Sequence, residues 1–204
     1  MFIKTNGFKY LLKEAYAGVG LKVGNTGDSL CISGGYWRMQ VKTEFLGNKA
    51  KAALIELIGD IPGAGVWVDY RKNEGGQICM DPGATYRVFD GLKTEPAKVQ
   101  LITTKVIMQH HLGEIARVLK NPNTGKIHLI NERYITMVSN QQILKEKGET
   151  GVTYPMITGW TSGVVWENNV MALEVIQRTD DQAKDMISMF ETMEMLDWWE
   201  KVEE

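Results

Sequence analysis

At 204 residues, 44% hydrophobic and 24% charged, the chain is long enough to bury a core as one large domain or as two of about 100 residues, and its composition excludes disorder. The formal net charge is −2. No apolar run is long enough to span a membrane, and Lys4, Lys9 and Lys13 have no apolar block between them, so no secretory signal is expected. Cys31 and Cys79 lack a CxxC spacing or a nearby His, which reads as reduced core thiols in a cytoplasmic protein, with a disulfide between them as the alternative.

In chain order, Asn6 caps an expected helix to Ala17, with Phe8, Leu11, Leu12, Ala15 and Val19 on one side and Gly18 and Gly20 ending it. Leu21–Val23, Leu30–Ser33 and Tyr36–Phe45 then read as strands separated by glycine-rich turns. Asn48 opens a second helix through Ile58, and Val66–Tyr70, Gln77–Met80 and Thr85–Phe89 read as three more strands. After 90–97, Lys98–Ile102 is an apolar-rich run. Thr103 or Thr104 caps an expected helix whose Met108, Leu112, Ile115 and Leu119 recur at helical spacing. Asn121-Pro122-Asn123-Thr124-Gly125 stops it, because proline cannot continue a helix and glycine accepts positive φ. Lys126–Asn131 and Arg133–Ser139 are expected as paired strands, Gln141–Lys147 as a short helix, and Gly151–Thr158, Gly163–Trp166 and Val170–Gln177 as strands. Thr179-Asp180-Asp181-Gln182 reads as a capping box opening a last helix to Val202.

The second half looks like a copy of the first. Thr5 and Thr103, and Asn25-Thr26-Gly27 and Asn123-Thr124-Gly125, stand 98 positions apart, with elements of matching expected kind between them. The expected fold class is therefore α+β: two similar domains, 1–90 and 98–178, joined by a linker at 91–97, each built from two units of a strand, a helix and further strands, followed by an acidic amphipathic helix at 179–204.

That plan, with Tyr10-Leu11-Leu12-Lys13, Gly20-Leu21-Lys22-Val23 and a closing pair at Val164–Glu167 and Met171–Val175, resembles the DNA sliding clamps, of the two-domain type found in phages. The resemblance covers nearly the whole chain in topology and contains no diagnostic motif. It implies a non-enzymatic processivity factor for DNA replication, a homo-oligomer, trimeric by preference, that encircles duplex DNA without reading its sequence and engages a polymerase or other protein.

The charge distribution agrees with that implication. The expected helices carry nine basic side chains against four acidic ones, a net of +5, while Asp180–Glu204 has nine acids and two lysines, a net of −7, leaving the rest neutral. The candidate DNA-binding residues are Lys9, Lys13, Lys49, Lys51, Arg117, Lys120, Lys145 and Lys147. A merely solvated lysine-rich helix face is the alternative.

Chemistry-bearing clusters are sparse. His110 and Glu114 share a helical face at i, i+4, with His111 beside it and His128 further on, but no third ligand is placed by spacing, so no metal, cofactor or catalytic residue is expected. No glycine-rich stretch precedes a helix bearing Lys-Ser or Lys-Thr, so no phosphate loop is read. In the last helix the apolar residues spread all round the final turns, and Met193, Leu196, Trp198 and Trp199 are the candidate partner-binding residues; docking on the protein's own sheet is the alternative, and a protein-binding module or inhibitor the rival function.

Overall fold

The computed structural model describes residues 1–81, 88–89, 98–109, 113–139, 141, 151–160, 163–177 and 180–193. Four α-helices, a 3₁₀ turn and two antiparallel sheets of eight and three strands make up the regular structure of those residues, a mixed α+β fold. The chain divides into two compact units that interleave in sequence: the first comprises 1–95, 137–155 and 167–174, the second 96–136, 156–166 and 175–204.

In the first unit, α1 (Thr5–Ala17) buries Phe8, Leu11, Leu12 and Ala15, the spacing that puts four side chains on one helical face. Its cap is Lys4 and not Asn6, with no side-chain bond at that end. At its other end Gly18 and Gly20 return their amides to Glu14 and Ala15, and Gly20 sits at φ +105°, a conformation that favours glycine. The strands β1 (Leu21–Asn25), β2 (Ser29–Gly34) and β3 (Trp37–Lys42) follow as a meander, with Val23 opposite Ile32 and Ile32 opposite Met39. The β1–β2 turn is tied by the Asn25 side chain, which accepts the Gly27 amide at 2.8 Å.

A 3₁₀ turn (Thr43–Phe45) leads into α2 (Asn48–Ile58), which stops at Gly59, φ +83°. Then come β4 (Trp67–Arg71) and β5 (Gly75–Cys79). β4 pairs with both β1 and β5, and β11 (Met171–Ile176) completes the unit, giving the order β5-β4-β1-β2-β3-β11. α1 packs against α2 and over β1, β2 and β4. Between β3 and β11, Arg38 Nε lies 3.1 Å from Glu174 Oε2, a carboxylate only 1% exposed. Cys31 and Cys79 are free, and the pairing of Cys31 with Gly24, of Gly24 with Trp67 and of Trp67 with Cys79 keeps them on strands with β1 and β4 between them, which rules out the disulfide alternative.

The second unit departs most from expectation. The segment expected as a helix from Thr103 to Leu119 is a hairpin of β6 (Ile102–Gln109) and β7 (Ile115–Lys120), and β7 pairs onward with β8 (Ile127–Asn131). Five of the eight β6 residues are β-branched, which favours the pleated conformation over the helix. Conversely, the strand expected over Arg133–Ser139 is α3 (Glu132–Met137). The second half therefore does not repeat the first element for element.

Three further boundaries shift. Residues 151–155 are not a strand; Thr153 is held by Asn168 and Asn169, and β9 runs Met156–Trp160, with β10 at Gly163–Glu167. Val88 and Phe89 are helical, not extended, while the rest of the strand expected at Thr85–Phe89 lies outside the described residues, as does the helix expected at Gln141–Lys147 apart from Gln141. α4 (Asp181–Thr192) is capped by Asp180, whose carboxylate accepts the Ala183 amide at 3.0 Å, so the acid and not Thr179 opens it. α4 seats Ala183 and Phe190 on Val118, Ile127 and Leu129 of the three-stranded sheet, with Met186 and Ile187 packed alongside.

Candidate nucleic-acid interface

Four of the eight residues singled out for DNA contact lie on two helices that pack against each other. Lys9 and Lys13 lie one helical turn apart on the solvent side of α1, and Lys49 and Lys51 stand in the first turn of the neighbouring α2, all four exposed. The sequence folds this way because Phe8, Leu11 and Leu12 in α1, and Ala50, Ala53 and Leu54 in α2, must face the core, which turns the intervening lysines outward. Among the described residues none of the four ammonium groups has a carboxylate partner, and the acids on the exposed parts of the two helices are Glu14 and Glu56. Two adjacent helices with unpaired cations present point charges to phosphate without the geometry for reading bases.

The other four do not join them. Arg117 sits on β7, where Glu132 takes its guanidinium in a two-pronged ion pair, Nε to Oε2 at 2.7 Å, and Thr104 O accepts a third bond at 3.1 Å. The hydrogen bonds that Arg117 donates to Glu132 hold the Arg117 pKa above its ordinary value, outweighing the opposing effect of burial. A guanidinium so engaged is a structural cross-link between β7 and α3, so its expected role in DNA contact is corrected. Lys120 ends the same strand half-buried, so it stands on a strand and not on the helix expected there. Lys145 and Lys147 lie outside the described residues.

Of the candidate partner-binding residues, Met193 closes α4 as its C-cap, half-buried. Leu196, Trp198 and Trp199 lie outside the described residues. What is described of the last helix docks on the protein's own sheet through Phe190, 4% exposed, while Met189 on its outer side is 46% exposed.

Among the described residues no three His, Cys, Asp or Glu side chains are grouped to hold a metal ion. His110 and His111 lie outside them; Glu114 accepts from Asn131 Nδ2 at 3.3 Å, and His128 is buried on β8 with Nδ1 2.9 Å from Gln177 Oε1. Burial is the main cause lowering the His128 pKa, followed by the nearby Lys126 charge. A cavity of about 20 Å³ beneath α4, lined by Ile115, Ala116, Leu129 and Met186 among others, has room for one water and none for a substrate. Among the described residues no helix is long and apolar enough to cross a membrane.

Sequence reasoning missed the Arg38–Glu174 pair and the exposed edge of β5. The only signal for the edge was the uncharged run Gly75-Gly76-Gln77-Ile78-Cys79-Met80, which says strand but not which strand is outermost. Compared with protein-family models, curated proteins and solved structures, the chain matches none.

Proposed function

We propose that this protein is a non-enzymatic scaffold that contacts duplex DNA through the α1–α2 face of its first unit, independently of sequence. The observation that carries the reading is the set of four exposed, unpaired ammonium groups, Lys9, Lys13, Lys49 and Lys51, on two helices packed side by side. Within that reading, the resemblance to sliding clamps supplies the fuller proposal: a cytoplasmic homo-oligomeric ring, trimeric by preference, which requires the second unit also to offer a lining surface. The hairpin at 102–120 stands where such a lining helix was expected, so the weight of the proposal rests on the first unit.

The test is binding to a fluorescent 30-base-pair duplex at two salt concentrations. Neutralising about four phosphates predicts a loss of affinity on the order of 100-fold between about 50 and 200 mM salt. Lys49→Glu with Lys51→Glu should abolish binding while leaving the melting temperature unchanged, whereas Arg117→Gln should leave DNA affinity intact. Binding insensitive to salt and to the lysine reversal would remove DNA from the account. Solution mass by light scattering then decides the ring: a monomer at tens of micromolar excludes it.

The rival reading, a protein-binding module using the acidic C-terminal helix, draws on one observation. Met189 on the outer side of α4 is exposed, and Met193 at its C-cap is half-buried. Truncation after Thr192 distinguishes the two, since it should raise DNA affinity if the tail only repels and should abolish partner capture if the tail binds.

A further inference from the structure

The two faces of the three-stranded sheet are held differently. Val118, Ile127 and Leu129 point to α4, where Ala183 and Phe190 cover them. Successive side chains on a strand alternate, so Leu119 and its cross-strand partner His128 point to the other face, and both are buried. There His128 joins three segments far apart in sequence. Its Nδ1 lies 2.9 Å from Gln177 Oε1, one residue past the end of β11. The Nε2 side of the ring presses on Gly159 of β9, so closely that a Cβ on that glycine would sit 2.7 Å from Nε2. Gln177 is itself packed close, since a Cβ at Gly163, the first residue of β10, would come within 2.7 Å of its amide nitrogen.

The hydrogen bond fixes the tautomer. A neutral imidazole carries one N–H, and with Gln177 accepting through Oε1 that hydrogen is on Nδ1, which leaves the lone pair of Nε2 facing Gly159. A second proton can therefore arrive only at Nε2. It would bring a donor and a full charge to a ring that is 2% exposed, on a side closed by a glycine Cα, and among the described residues nothing accepts a hydrogen bond from Nε2. The surrounding charges do not compensate. Lys126 precedes His128 on β8 and repels the imidazolium, while Glu191 attracts it from α4 but already accepts the Ile127 amide at 3.2 Å. On β7 the charges are Lys120, of like sign, and Arg117, which Glu132 engages; β9 carries none, and Glu174 of β11 is paired with Arg38.

We infer that His128 is an acid-operated latch: as a neutral imidazole it fastens β8 to β9 and to Gln177, and on taking a second ring proton it releases that contact. Release lets the imidazolium reach water, and Gly159 is the surface it leaves. All the groups concerned belong to the second unit, and the inference does not rest on the DNA reading, whose lysines lie in the first.

The test uses the full chain. Nitrogen-15 shifts of the His128 ring at about pH 7.5 should show the neutral tautomer with its proton on Nδ1. Amide exchange, corrected for the intrinsic rate, should show protection across Met156–Trp160 reduced by up to about tenfold between about pH 7.5 and 5.5, because the lower value lies one unit below the ordinary histidine pKa of about 6.5. His128→Gln should remove this acid step. Gly159→Ala should drive the ring off β9 by crowding instead of charge, so that its β9 is as weakly protected at about pH 7.5 as the wild type's at 5.5, while Phe8–Ala15 keeps its protection. A neutral ring protonated on Nε2, a wild-type β9 equally protected at both pH values, or an acid step that persists in His128→Gln overturns the proposal. So does a Gly159→Ala variant as well protected as the wild type at about pH 7.5. Should Gly159→Ala lose protection in Phe8–Ala15 as well, it has unfolded, and the comparison of wild type with His128→Gln decides alone.

Discussion

Residues 5–17 and 102–120 begin alike and end apart. Each has a Thr at its start, Thr5 in one and Thr103 after Ile102 in the other; each shows apolar residues at helical spacing, and each lies upstream of an Asn-Thr-Gly that sits in a hairpin turn, between β1 and β2 in one case and between β7 and β8 in the other. One is a helix and the other two antiparallel strands. The difference lies in what fills the spaces between the apolar positions. α1 has one β-branched residue in thirteen, its Thr5, and is otherwise dominated by Leu, Lys, Ala and aromatics; β6 has Ile102, Thr103, Thr104, Val106 and Ile107. The spacing of Met108, Leu112, Ile115 and Leu119 also straddles Gly113, which turns the chain at φ +80°. Periodicity counted across a turn measures nothing physical, because the two sides belong to different strands.

The largest effects that would break this contrast come from the core. Leu11 in α1 and Leu119 in β7 are both fully buried, so Leu11→Ala and Leu119→Ala should each cost about 3 kcal/mol in urea denaturation. Ile115, on the stripe that a helix would have buried with Leu119, is 46% exposed, and Ile115→Ala should cost less than about 1 kcal/mol. Equal losses at 115 and 119 would restore the helix.

Next in size is the cross-link that replaced the DNA contact. Arg117 and Glu132 are 16% and 22% exposed in their side chains, buried enough that removing one leaves the other poorly solvated. Arg117→Ala or Glu132→Ala should each cost about 2 kcal/mol, with the double variant costing little more than either. A double-mutant cycle by denaturation checks this. Additive losses would mean the pair is not formed.

Much of the first unit was legible in the sequence, and the reason is local consistency. In α1 and α2 the apolar spacing, the helix-forming residues between and the glycines after them agree, and the lysines placed on their outer faces are where the pattern puts them. In β1 to β3 the glycine-containing turns fix the register. The second unit was misread because its local signals disagree. Arg133–Ser139 has strand-like Ile135, Thr136 and Val138, yet Asn131, whose side chain accepts the Arg133 amide at 3.1 Å, starts a helix there. Of the candidate interface, the lysine faces of two helices were readable; the partner of Arg117 lies fifteen residues away across a hairpin and was not, since ion pairing of that kind depends on topology. The open edge of β5 was invisible for the same reason.

A smaller effect carries a change of sign. Gly113 lies in the β6–β7 connection at φ +80°, where an L side chain is strained, so Gly113→Ala should destabilise by about 1 kcal/mol. In a helix the same substitution would stabilise by a similar amount. Thermal denaturation of this one variant therefore separates hairpin from helix by direction alone, independently of any estimate of magnitude.

The smallest expected effect is a dependence on pH confined to the hairpin side of the comparison. Leu119 pairs across the strands with His128, which is buried, bonded at Nδ1 to Gln177 and flanked by Gly159, with Lys126 on its own strand and Glu191 on α4 as the charges that face it. Its pKa is lowered, chiefly by burial and then by Lys126, against the opposing pull of Gln177 and Glu191. A histidine whose folded pKa lies below its unfolded value of about 6.5 takes up its proton first in the unfolded chain. Its favourable contribution is therefore complete above about pH 7 and is lost as pH falls through 6.5 toward the folded value, by at most about 1.4 kcal/mol per pH unit. The buried face of α1 carries no titratable side chain, since it consists of Phe8, Leu11, Leu12 and Ala15. Amide exchange measured at about pH 7.5 and 5.5 should thus show protection lost across Ile115–Asn131 before it is lost across Phe8–Ala15. In His128→Gln that order should disappear, because nothing on β8 then titrates in the window. Equal acid loosening of both segments in the wild type, or the same ordered loss in His128→Gln, would place the pH sensitivity elsewhere in the molecule.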